Sequence, residues 1–156
     1  MPRARTYRVP FANVPAAASS TVPVLGVNGA STVRLRLYDM TYGSDTTPAN
    51  AAAQFQIVRI TTALASGTAI TPRPDDPADP ASTSTAMQGP SIGAPTITAN
   101  SSVYENGWPQ LNNIRHPFQE GYEIVAPATA NNGLGIIVPV INGTAWDFVG
   151  TWFFSE

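Results

Sequence analysis

The sequence predicts an all-β fold, an antiparallel β-sandwich that is jelly-roll-like, with an extended N-terminal arm. Three observations predict it. Thr (17), Pro (15) and Gly (12) are abundant in the 156 residues and no stretch carries a long helical period, which is the composition of short strands joined by tight turns. Apolar runs bounded by Gly, Pro, Asn or Ser give roughly eight to ten strands. One long Pro-rich segment interrupts them, as a connection crossing between sheets does. The length suits one domain with one core.

Taken in order, residues 1–30 read as the arm and residues 31–156 as the sandwich. Pro2, Pro10, Pro15 and Pro23 recur too often for a helix. The alternation Tyr7, Val9, Phe11 suits a segment that orders on a partner, and Thr21–Val27 suits a short edge strand, where Pro is tolerated. Thr32–Asp39 alternates with Val33, Leu35 and Leu37 on one face and Arg34, Arg36 and Tyr38 on the other. A turn-rich loop over 43–50 follows. In Gln54–Thr61 the apolar set switches from Phe55 and Ile57 to Val58 and Ile60, which requires either a bulge or burial on both faces. Ser66-Gly67 turns the chain into Thr68–Thr71. Residues 72–95 hold six prolines and read as the long loop. Extended structure resumes from Thr96 to about Tyr104, turns at Gly107-Trp108-Pro109, and continues as strands over Leu111–Phe118 and Glu120–Ala126.

The last twenty-five residues carry the strongest signal. Leu134–Ile141 is apolar on both alternating sets, and Trp146, Phe148, Trp152 and Phe154 share one set. Asn142-Gly143 between them matches a type I′ turn and predicts a hairpin at the centre of the core.

Charged residues are 12% of the chain, about half the usual share, so much of the surface is expected to lie against other subunits. All eight basic residues are Arg, five of them at or before Arg36 with no acid among them; beyond lie three Arg and ten acids, +5 against −7. Opposite signs in arm and body predict attraction between neighbouring copies. With no Cys, disulfides, thiolate metal sites and thiol nucleophiles are excluded. No membrane-length apolar run or signal-peptide h-region is present, so synthesis in a cytoplasm is expected.

Each candidate for chemistry has a plainer reading. Asp75, Asp76 and Asp79 could hold Ca²⁺ through oxygen, but they lack the glycine and distal Glu of an EF-hand loop; a solvated loop, or an acceptor for a neighbour's Arg with Arg73 as local counter-ion, fits better. His116 has no triad partner in sequence and no Ser sits in a nucleophile elbow. Asp39, Glu105, Glu120, Glu123 and Asp147 form no recognisable hydrolase pair. Arg3, Arg5 and Arg8 are too few for strong phosphate binding on an acidic protein, so docking on a protein neighbour, with Tyr7 and Phe11, is expected instead. Tyr38, Tyr42, Tyr104 and Trp108 could stack on sugars in an exposed cleft, but aromatics in β proteins more often pack in a core or interface. Asn100 and Asn142 match the glycosylation pattern, which lacks a secretory context. No catalytic residue and no cofactor are expected.

The runs Leu35–Asn50, Asp76–Pro80 and Val125–Gly135, and the closing Gly, Trp and two Phe before Glu156, resemble small virion proteins of tailed bacteriophages. The resemblance covers residues 33–156. It implies a non-enzymatic jelly-roll-like subunit, a decoration or cement protein on the outside of a head shell. The implied partners are the major capsid protein and further copies of itself, with a trimer favoured; the residues themselves argue against membrane and nucleic acid. Two other readings remain open: a receptor- or glycan-binding module of a head or tail fibre, and a small self-assembling capsid subunit.

Overall fold

A computed structural model describes residues 4–15, 22–44, 52–89, 92–93, 95–141 and 147–156. The described residues form twelve strands and no helix: β1 (Thr6–Pro15), β2 (Leu25–Asn28), β3 (Leu35–Ser44), β4 (Ala52–Ile60), β5 (Thr68–Ile70), β6 (Arg73–Pro74), β7 (Thr85–Gln88), β8 (Ile97–Pro109), β9 (Ile114–Pro117), β10 (Ile124–Ala126), β11 (Gly133–Ile141) and β12 (Asp147–Ser155). They make two six-stranded antiparallel sheets. The first runs β10-β3-β12-β1-β6, with β9 sharing an edge of β3 with β10; the second runs β5-β7-β2-β11-β4-β8. Early and late strands thus interleave, β12 between β1 and β3 and β11 between β2 and β4.

The all-β antiparallel sandwich is as expected, but the arm is not. β1 lies between β12 and β6, pairing with β12 from Thr6↔Ser155 to Pro15↔Asp147, and Tyr7, Val9 and Phe11 are buried. Their alternation faces the chain's own core, so residue 30 is no boundary between arm and domain. β2, expected at an edge, is internal between β7 and β11; Pro23 sits just before it and removes no ladder bond.

The closing hairpin is also corrected. β11 pairs with β2 and β4, and β12 with β1 and β3, so the two strands belong to opposite sheets. An Asn-Gly signal is local, whereas partner choice follows the burial each strand can obtain. Asn142, Gly143 and Trp146 lie outside the described residues, as do 45–50 of the loop expected over 43–50. Phe148, Trp152 and Phe154 do share the inward face and are buried.

Between the sheets the aromatics form a connected core. Tyr42 meets Phe55 at 4.4 Å between centroids, Trp108 at 5.3 Å and Phe148 at 5.9 Å; Phe11 stacks on Phe148 at 5.4 Å and Tyr7 on Phe154 at 5.7 Å. Offset and edge-on rings of this kind stabilise beyond their buried area. A smaller core, Val58, Ile60, Leu64, Ile92 and Ile137, lies apart from it. This settles the switch in β4. Its register with β11 is unbroken from Ile57 to Ile60, so the strand buries both faces: Phe55 and Ile57 inward, Val58 and Ile60 under Leu64 and Ile92.

In β3 the inward phase changes from Leu35 and Leu37 to Met40 and Tyr42, all buried. A bulge does this: Phe154 pairs with Leu37 and Phe153 with Asp39, leaving Tyr38 as the extra residue. Beyond the bulge, Asp39 and Thr41 turn to the outer face. The Tyr38 carbonyl accepts the Phe118 N–H at 2.8 Å, between the parts of β3 that pair with β9 and with β10.

Candidate interaction surface

The long segment over 72–95 is not a free loop. It contains β6 and β7, and the stretch between them is fastened to the first sheet. Arg8 Nε donates to Asp75 Oδ1 at 2.6 Å, and the Tyr38 hydroxyl donates to Asp75 Oδ2 at 3.1 Å. The Tyr7 hydroxyl donates to the Pro80 carbonyl at 3.2 Å. At the far end Glu156 accepts from Ser82 Oγ (2.5 Å), Thr83 Oγ1 (3.0 Å) and the Ser84 N–H (3.0 Å). Residues 75–84 are therefore a strap.

Electrostatics follow this fastening. Burial by itself raises the Asp75 carboxyl, but hydrogen bonds from Arg8, Thr6 and Tyr38 outweigh it and hold the group below its ordinary range. Glu156 behaves alike: burial raises it, and Ser82, Ser84 and Thr83 bring it lower. Burial and the neighbouring Asp75 charge push the Tyr38 phenol up to about 12.

The residues expected to bind a partner are thus divided. Arg8 and Asp75 are spent on each other, with Arg8 also over the Phe153 ring at 5.9 Å. Tyr7 and Phe11 are core residues, which corrects their expected role. Asp76 caps its own turn through Oδ1 to the Ala78 N–H at 2.9 Å. Among the described residues no three or more acidic or His side chains are placed to hold a metal ion, so Asp75, Asp76 and Asp79 do not converge. Arg5 and Arg73 are exposed and Asp79 is half-buried; Arg5 lines a hollow of about 520 Å³ with Tyr7, Val33, Thr83 and Glu156. Arg3 lies outside the described residues.

Comparison with protein-family models, curated proteins and solved structures gave no match. The reading of the surface therefore rests on its own residues.

Two of the four aromatics pack in the core as the plainer reading expects: Trp108 and Tyr42 are buried there. Gly107-Trp108-Pro109, expected as a turn, is the end of β8. Tyr104 instead closes the seam where β8 of one sheet meets β9 of the other. Its hydroxyl lies 3.1 Å from His116 Nδ1 and accepts from Asn106 Nδ2 at 3.2 Å, while Phe118 packs on both rings. Glu105 accepts from Gln56 and Glu123 from the Gly121 N–H, so these two acids are engaged separately.

Two features escaped the sequence. Asp39, buried, accepts from exposed Arg115 through Nε at 2.9 Å and Nη2 at 2.6 Å, both on Oδ2. Leu111 and Tyr122, in the turns either side of β9, are 59% and 78% exposed, though both are large apolar side chains.

Proposed function

We propose that this chain is a virion structural protein without catalytic activity: a decoration or cement protein that binds a tailed-phage head and bridges neighbouring capsid subunits. The observation that carries the reading is the interleaved strand order. β1, β12, β3 and the β9/β10 edge alternate in the chain with β2, β11, β4 and β8, an order that supports a jelly roll closed from two Greek keys, as the resemblance implies. The strap makes the sandwich a rigid platform, and sparse charge favours a surface covered in an assembly. The partners would be the major capsid protein and further copies of the chain, a trimer being favoured, on the outer surface of a particle assembled in the host cytoplasm.

In this reading Leu111 and Tyr122 dock on the shell, each as a modest contact multiplied by symmetry. The test mixes purified protein with heads lacking it and measures co-sedimentation. The wild-type chain should co-sediment, and the double variant Leu111→Ser, Tyr122→Ser should retain its fold and lose most of the binding. A wild-type chain that stays in the supernatant defeats the reading.

A further inference from the structure

On the outer face of the first sheet, β3, β12 and β9 enclose a hollow of about 320 Å³, at the small end of ligand pockets, which run from about 300 to 1,000 Å³. Among its lining residues Thr41, Asn113 and Arg115 are polar, and Val149 supplies an apolar wall. The register sets Thr41 opposite Arg115 of β9 and opposite Thr151 of β12. Gly43 matters here: a Cβ at that position would collide with the Asn113 side-chain oxygen, so the missing side chain lets the Asn113 amide lie across the strand.

Arg115 is held in a particular way. Its Nε and Nη2 both serve one oxygen of Asp39, whose side chain is 6% exposed, while the Arg115 side chain is 70% exposed. One edge of the guanidinium is thus occupied. Of its five N–H donors, the two on Nη1 and the second on Nη2 have no partner among the described residues. A planar fork held from behind and open in front is the group that chelates a carboxylate with two parallel hydrogen bonds. An acidic side chain would need the fork alone. Beside the fork, a hydroxyl, an amide and a small apolar wall suit the hydroxyls and ring carbons of a sugar.

We propose that this hollow binds the carboxylate-bearing ring of an acidic saccharide, with Arg115 receiving the carboxylate and Asn113 and Thr41 the ring hydroxyls. The site does not depend on the capsid reading. Asp39 already neutralises Arg115, so recognition is by geometry more than by net charge, and affinity for a single ring is weak.

The experiment titrates methyl glucuronide into isotope-labelled full-length protein and follows amide resonances. Expected are saturable shifts at Thr41, Gly43, Asn113 and Ile114. Arg115→Lys, which keeps the charge and loses the fork, should weaken binding by about tenfold or more. Asn113→Ala, at an exposed position, should weaken it by roughly threefold with an unchanged melting midpoint, and this variant decides the matter if Arg115→Lys fails to fold. Methyl glucoside should bind at least about tenfold more weakly, because it lacks the carboxylate. Equal binding of the glucoside, equal binding of N-acetylglutamate, shifts confined to other surfaces, no shifts at all, or an unaffected Asn113→Ala would each overturn the proposal.

Discussion

Arg8 on β1 and Asp75 on the strap meet at 2.6 Å, and this pair joins a segment with the turn-rich look of a free loop to a strand with the look of a free arm. Both ends of the strap are fastened by carboxylates lowered in the folded state, Asp75 and Glu156. A group lowered on folding contributes stability above its unfolded value, and the contribution is lost as pH falls through the folded value. The unfolded references are 3.8 and 4.5. Stability should therefore be flat with respect to these groups at neutral pH and decline on the acid side of those values. Asp75→Asn should cost about 0.2–1 kcal/mol at pH 7, as expected for a solvent-screened pair, and Glu156→Gln about 1–2 kcal/mol. Melting midpoints measured from neutral to acid pH check this: both variants should show a shallower acid decline than wild type.

Phe11 separates a core strand from an arm. It is buried against Phe148, so Phe11→Ala should cost about 3–5 kcal/mol in denaturant unfolding. A partner-binding arm residue would cost almost nothing in the isolated chain.

Asn28 ties three backbone segments together. Its Oδ1 accepts the Leu64 N–H at 2.8 Å, and its Nδ2 donates to the Asn131 carbonyl at 2.6 Å and the Thr62 carbonyl at 3.4 Å. Asn28→Ala strands the buried Leu64 N–H and releases two carbonyls, and should cost about 2–4 kcal/mol. Amide exchange at Leu64 should rise in the variant.

Gly150 lies where a Cβ would meet the Thr41 carbonyl and the Phe11 ring. Gly150→Val should destabilise by about 1–3 kcal/mol through overpacking, measured by thermal unfolding, without changing the oligomeric state.

The sheets were legible where alternation was local: Leu35 and Leu37, Phe55 and Ile57, and Phe148, Trp152 and Phe154 all face inward as the periodicity implies. What failed was assignment of partners. Tyr7, Val9 and Phe11 show a strand's alternation, but nothing local says that β12, at the other end of the chain, covers one edge of it. Asn142-Gly143 carries a turn preference whose strength is the same whether the flanking strands pair or part. The Tyr38 bulge left a trace only in the apolar phase change from Leu37 to Met40. Of the candidate site, Arg115 stood next to the lone His116 without a mark of its own, because its partner Asp39 is 76 residues away. Leu111 and Tyr122 were unremarkable in sequence, since exposure is settled by the fold.

The proposed seat of this sandwich is the outside of a phage head. Electron cryo-microscopy of the intact particle tests it most directly. The account predicts density for the two-sheet subunit at symmetry-related positions on the shell exterior, with the turns bearing Leu111 and Tyr122 against capsid protein. Density for it in the tail, inside the shell, or nowhere on the particle would contradict the account.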